Sequence, residues 1–183
     1  NFTYLITCSR TGTQAIVDSA IDTNEIAHYL KNDPVAILIT HGHSDHIAFL
    51  DNYVQQYPGA TILGHPDSKL KERYSNFKKV DNNQEFIIGE MRFKCIHTPG
   101  HYFDSICYQI SPVLFTGDTM FVGRTGRIKG KYSSIEDLYD SIYNKILKMP
   151  GSIKIYPGHD YGHKPNITLE ENILNSPLLS LSL

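Results

Sequence analysis

The segment Thr40-His41-Gly42-His43-Ser44-Asp45-His46 places four potential metal ligands within six residues. His41 and His43 are two apart, so on an extended loop they project to the same side. Asp45 and His46, expected in the first turn of a following helix, point elsewhere. One short motif can therefore serve two adjacent metal ions. Three further candidates stand singly: His101 in Thr98-Pro99-Gly100-His101, Asp118 in Thr116-Gly117-Asp118-Thr119, and His159 in Tyr156-Pro157-Gly158-His159. Each follows a strand, on a mount where Gly permits close backbone approach and Pro, where present, stiffens the turn. Imidazole and carboxylate donors without thiolate suit zinc, iron or manganese, so the set defines a site more firmly than it defines a metal.

The elements that must position these residues are legible in outline. Residues 2–7 and 15–17 form a β-hairpin. Asp22 with Glu25 starts a short helix that Pro34 stops. Residues 35–39 read as a buried strand directly ahead of the histidine motif. From Asp45, the positions of Ile47, Phe49, Leu50 and Val54 predict a helix ending before Pro58-Gly59, and a strand follows at 61–63. Residues 86–88 and 91–97 flank Gly89-Glu90 as a second hairpin, with further strands at 105–110 and 113–116. Ser133 and Glu136 read as a capping box, on a helix whose Ile135, Leu138, Ile142 and Ile146 face one way until Pro150-Gly151. A strand at 153–156 comes next, and Thr168 with Glu171 caps a last helix. Hairpins mixed with crossovers call for an α/β arrangement with helices packed outside two sheets.

Composition narrows the function class. The chain has 183 residues, 40% hydrophobic and 20% charged, enough for one compact domain over 1–183. Seventeen Lys plus Arg against nineteen Asp plus Glu give a net charge of −2, which argues against nucleic acid as a partner. The longest purely apolar run, 35–39, is far short of the roughly 20 residues a membrane helix needs. Asn1 is no initiator, so the start is expected to be trimmed. Cys8, Cys95 and Cys107 are odd in number and widely spaced, which excludes a disulfide framework and reads as core thiols in a reducing cytoplasm. His97 alternates with Met91, Phe93 and Cys95 on one strand face and reads as packed, while Tyr102 and Phe103 are expected at the pocket mouth.

These motifs resemble the metallo-β-lactamase superfamily, whose H-x-H-x-D-H segment, later His, bridging Asp and final His all find a match between Phe2 and about Tyr161. The resemblance implies a four-layer αββα sandwich. It also implies a ligand set: His41, His43 and His101 for one metal, Asp45, His46 and His159 for the other, and Asp118 between them. Within the superfamily, Thr116-Gly117-Asp118-Thr119-Met120-Phe121, Gly126-Arg127 and Gly158-His159-Asp160-Tyr161 look like glyoxalase II, the hydroxyacylglutathione hydrolase. By that likeness Arg127 and Tyr161 match residues that hold glutathione, and Lys129 stands where that family has tyrosine. No counterpart of its C-terminal helical domain is expected.

The implied chemistry is hydrolysis of a small anionic thioester. Two divalent cations, zinc most naturally, bring +4, the carboxylates of Asp45 and Asp118 remove two, and a hydroxide leaves +1, which favours an anion. Metal binding brings the pKa of water from 15.7 to about 7 and so makes a bridging hydroxide available as the nucleophile. Asp45 is cast as the ligand that orients it, and Asp118 as the bridge. Two alternatives stand beside this reading. One is a persulfide dioxygenase, which resembles the same fold but uses one iron. The other is a structural or sensing metal site, although such sites are usually closed and sulfur-rich.

Overall fold

The computed structural model describes residues 1–180; residues 181–183 of the expected domain lie outside the described residues. The first sheet holds β1 (Tyr4–Thr7), β2 (Gln14–Val17), β3 (Ala36–Leu38), β4 (Thr61–Gly64) and β5 (Phe77–Lys79), in that spatial order. β1 and β2 form the expected antiparallel hairpin, and β2 to β5 run parallel. The second sheet holds β6 (Glu85–Ile88), β7 (Met91–His97), β8 (Ile106–Ile110), β9 (Val113–Gly117), β10 (Lys154–Pro157) and β11 (Ile167–Thr168), ordered β11-β10-β9-β8-β7-β6. Because β8 is antiparallel to both β7 and β9, and β10 is parallel to β9, the strands β7, β9 and β10 all end at one edge.

Alternation along the strands builds four layers. Ala15, Val17, Ala36 and Leu38 face inward against Phe93, Cys95, Ile106 and Tyr108 of the second sheet. Ile16, Ile37 and Ile62 face outward and pack under α1 (Thr23–Ile26), α2 (Leu50–Gln56) and α3 (Leu70–Arg73), through Ile26, Leu50, Tyr53 and Leu70. On the far side, Ile96, Cys107, Leu114 and Ile155 meet α4 (Ile135–Tyr139), α5 (Leu169–Asn175) and α6 (Pro177–Ser180) through Leu138, Leu169 and Leu179. The result is the αββα sandwich. The buried Tyr108 hydroxyl donates to the carbonyls of Ile39 and Leu63 at 3.0 and 3.1 Å and stitches the sheets together beside the histidine motif.

Three local expectations are corrected. The helix after the histidine motif begins at Leu50, so Asp45 and His46 lie in a turn. The carbonyl of His46 accepts from Ser19 N–H, and Phe49 N–H donates to the carbonyl of Ser19, both at 2.9 Å. These bonds to the extension of β2 replace helical ones. The cap of α4 is Ser134, whose hydroxyl accepts from Asp137 N–H at 3.1 Å, one residue beyond the expected Ser133. Leu138, Ile142 and Ile146 are buried, but Ile135 is 63% exposed. Ile135 is the first residue of α4, and its side chain tilts toward the helix N-terminus, past the turn where Leu138 packs; α4 then continues as a π-helical stretch over Asp140–Lys145. The short strands β5 and β11 and the single-turn helices α3 and α6 went unanticipated, being too brief to show a period.

The loop that carries His101 docks on α4 through Gly100, whose carbonyl accepts from Ser134 N–H at 2.9 Å. Gly100 has φ +132°, and a Cβ there would sit 2.3 Å from the Leu138 backbone. Gly100→Ala is therefore expected to cost about 3 kcal/mol, combining backbone strain with overpacking. A denaturation midpoint equal to that of the parent protein would contradict this docking.

Candidate metal centre

All seven candidate ligands converge at the edge where β3, β7, β9 and β10 end. Their side chains form three groups of potential ligand atoms, each within 4.8 Å: His41, His43 and His101; His41, His46 and Asp118; and Asp45, His46 and His159. In the first group, His43 Nδ1 lies 3.0 Å from both His41 Nε2 and His101 Nε2. Asp118 stands between the outer groups. Its Oδ1 is 3.1 Å from His46 Nε2, and its Oδ2 is 3.2 Å from His159 Nε2 and 3.5 Å from His101 Nε2. Asp45 Oδ2 lies 3.4 Å from His159 Nε2 on the exposed side.

The far nitrogens of three of these histidines are already fixed. His101 Nδ1 meets the carbonyl of Arg127 at 2.8 Å, and His41 Nδ1 meets the hydroxyl of Thr40 at 3.2 Å. His46 Nδ1 meets Asp18 Oδ2 at 2.7 Å. Donating from Nδ1 sets the tautomer and leaves Nε2 free to take a metal, as outer partners do in metal sites. Asp18 is the hub. Its Oδ1 accepts from Thr40 N–H at 2.8 Å, and its Oδ2 accepts from the Thr40 hydroxyl at 2.7 Å as well as from His46. Asp18 thereby orients His46 directly and His41 through Thr40.

Charges are arranged for a cation. Burial, and then His46, keep the fully buried His41 well below the usual imidazole value. Burial and His101 likewise lower His43. For Asp118 burial opposes ionisation, but hydrogen bonding from His159 and His46 outweighs it and holds the carboxyl below the usual range. Burial also opposes charge on His46, yet Asp18 and then Asp118 push it up to about 10. A metal that takes the Nε2 lone pair replaces that proton. His46 Nε2 and Asp118 Oδ1 are both buried and complete no hydrogen bond of good geometry. Orphaned donor atoms facing each other across the centre are what a metal site presents, so the residues fit a cation.

A cleft of about 300 Å³ opens over His43, Asp45, His101, Asp118 and His159. Arg127, Lys129 and Tyr161 line its outer wall with Phe121. The Tyr161 ring stacks on His159, with centroids 4.7 Å apart and planes at 7°. Tyr102 and Phe103 do not form the mouth of this cleft. The Tyr102 ring rests against His43 at 4.2 Å, and both aromatics line a neighbouring cavity. His97 is packed as expected, its Nε2 meeting the carbonyl of Phe103 at 2.9 Å. The three cysteines are free and buried.

The metallo-beta-lactamase superfamily profile matches residues 1–159. The chain belongs to the metallo-β-lactamase superfamily. It is 31% identical over 180 residues to a probable polyketide biosynthesis zinc-dependent hydrolase, BaeB, of Bacillus velezensis, covering 96% of this chain and 80% of that one. It is 34% identical over 155 residues to a hydroxyacylglutathione hydrolase of Francisella tularensis, covering 80% of this chain but 59% of that protein's length. The crystal structure of ETHE1 from Myxococcus xanthus superposes with a TM-score of 0.86 at 27% identity, covering 97% of this chain and 79% of that one. The chain is a metal-dependent hydrolase of this superfamily.

Asp18 and Asp104 are site residues that motif reading missed. Asp104 is buried and its Oδ1 accepts from Gly42 N–H at 3.1 Å, which pins the peptide between His41 and His43. Burial pushes its carboxyl up to about 6, with the Gly42 N–H acting against that rise. Asp18 offers a clean test, because its φ of +56° suits asparagine as well as aspartate. Asp18→Asn leaves the backbone undisturbed but removes the acceptor charge behind His46, and metal affinity is expected to fall about 10- to 100-fold. Unchanged affinity in a chelator competition would remove Asp18 from that role.

Proposed function

We propose that the chain is a two-metal hydrolase of small anionic thioesters, of which S-(hydroxyacyl)glutathione is the leading candidate. The observation that supports this most is the pair of ligand clusters flanking one buried carboxylate, Asp118, beneath a cleft with a cationic wall. His41, His43 and His101 would hold one cation, Asp45, His46 and His159 the second, and Asp118 both. Bound there, two divalent cations supply water activation at neutral pH and polarisation of the carbonyl. Zinc suits this donor set, and iron or manganese do as well.

The chain's own residues do the rest. Arg127 and Lys129 draw the anionic thiol portion into the cleft, and Tyr161 packs against it. Asp45, the most exposed of the acidic ligands, orients the attacking water and accepts its proton. The C–S bond breaks as the C–O bond forms, giving a carboxylate and a thiol. A thiol of pKa near 8.5 leaves without a dedicated proton donor, so the reaction requires no general acid. Free, buried cysteines suit a reducing cytoplasm, and among the described residues no helix is long and apolar enough to cross a membrane.

The test is thiol release from S-D-lactoylglutathione by the metal-loaded protein. Arg127→Ala is expected to raise KM about tenfold with kcat little changed, the pattern of lost uniform binding. An unchanged KM would take Arg127 out of substrate binding, and no thiol release from the parent protein would overturn the glutathione reading.

A further inference from the structure

The loop that brings His101 to the metal centre is held by its carbonyls, one after another. The carbonyl of His97 accepts from Lys145 Nζ at 3.0 Å, and that of Thr98 from the Thr119 hydroxyl at 3.3 Å. The carbonyl of Pro99 accepts from the Ser141 hydroxyl at 2.7 Å, and that of Gly100 from Ser134 N–H at 2.9 Å. Three of these four donors belong to one helical unit, α4 with its cap Ser134 and its π-helical continuation. Pro99 has no N–H, so its carbonyl is its only backbone group able to take a hydrogen bond, and Ser141 supplies the partner.

Ser141 and Lys145 both lie in the π-helical stretch over Asp140–Lys145, a form that is rare and frequently found at functional sites. Ser141 is fully buried. The Lys145 ammonium is itself steered by Asp140, whose Oδ2 lies 3.2 Å away. Tyr143, between them in the chain, serves a different contact, since its hydroxyl donates to the carbonyl of Leu178 at 2.6 Å. One face of this helical stretch is thus given to the His101 loop and another to α6.

His101 follows directly on the four anchored carbonyls. Its Nδ1 is fixed by the carbonyl of Arg127, and its Nε2 lies 3.0 Å from His43 Nδ1. Zinc–nitrogen distances keep to about 0.2 Å of their usual value, so a ligand whose backbone drifts loses affinity.

We propose that Ser141 and Lys145 are positioning residues for the first metal position: by holding the carbonyls of Pro99 and His97 they set where His101 stands relative to His41 and His43. They act through the loop backbone. The proposal rests on the two-metal ligand set and is independent of which thioester the enzyme takes.

The experiment is a zinc titration of the metal-stripped full chain against a chelating indicator. It compares the parent, Ser141→Ala, Lys145→Met, His101→Ala, and the double variants that combine His101→Ala with each of the first two. Ser141→Ala and Lys145→Met are each expected to weaken one zinc affinity about tenfold, the lower end of what partners outside the ligand set contribute, and to leave the other unchanged. Lys145→Arg keeps a donor at this point and is expected to restore the lost affinity. Tyr143→Phe is the control, because it removes a hydrogen bond of the same helical stretch that does not reach the loop. It is expected to lower the melting temperature without moving either affinity. In the His101→Ala background, adding Ser141→Ala or Lys145→Met is expected to change zinc affinity no further, the non-additivity of residues that act through one another. Full additivity there, or an affinity loss in Tyr143→Phe as large as in Ser141→Ala, would overturn the positioning role and leave a purely structural one. A parent chain that takes up a single zinc would count against the two-metal reading, and the same double-variant comparison would still decide the role of Ser141 and Lys145.

Discussion

Asp118→Asn is expected to lower thioester turnover on the order of 10³-fold while leaving the fold intact. The carboxylate is 8% exposed and touches three histidines, two of them through one oxygen. Asparagine keeps the shape but removes the negative charge and turns an NH2 toward nitrogens whose lone pairs are needed for metal. Lewis-acid polarisation by two cations supplies several kcal/mol of transition-state stabilisation, and about 4 kcal/mol corresponds to the stated loss. The variant should melt near the parent temperature in the absence of added metal, because its neighbours do not depend on Asp118 for packing. Turnover within tenfold of the parent would show that Asp118 does not join the two clusters.

The second large effect is expected from a single methyl group. Gly158 sits just ahead of His159, and a Cβ built on it would lie 2.5 Å from Asp118 Oδ1 and 2.6 Å from His46 Cε1. Neither neighbour can give way easily. His46 is fully buried and held by Asp18, and the carbonyl of Gly158 accepts from Phe2 N–H while its own N–H donates to the carbonyl of Gly117. Gly158→Ala must therefore displace His46 and Asp118 from each other. The expected outcome is loss of about one metal per chain by elemental analysis and a fall in turnover of 10²-fold or more, with a stability cost of about 1–3 kcal/mol from overpacking. Gly59→Ala is the matched control, as a Cβ there meets nothing within 4 Å. Two metals and normal turnover in Gly158→Ala would contradict the placement of the second cluster.

The seven ligand candidates were legible because their signal is local: donor types crowded into short segments directly after apolar strands. Asp18 and Asp104 were not, for the opposite reason. Asp18 acts on residues 22 and 28 positions away, and Asp104 on a peptide 62 positions away, so nothing in their own neighbourhood in the chain marks them. The helix after the histidine motif starts five residues later than the helical period of Ile47 and Phe49 predicts. Their burial instead comes from packing against the outer face of the first sheet while the backbone pairs with Ser19. β3 was readable from its continuous apolar run and β7 from the alternation of Met91, Phe93 and Cys95, whereas β5 and β11, at three and two residues, carry too little pattern to declare themselves. Arg127 and Lys129 could be named from their resemblance to a known motif, but which way their loop turns them became visible only with the cleft.

The most direct test of the central claim is a zinc titration of metal-stripped protein, with thiol release from S-D-lactoylglutathione measured at each metal-to-chain ratio. Turnover is expected to climb steeply with the second equivalent and to level off at two metals per chain. Full activity at one equivalent, or no thiol release at two, would contradict a two-metal thioester hydrolase. Oxygen uptake with glutathione persulfide by protein holding one iron per chain would place it among the dioxygenases instead.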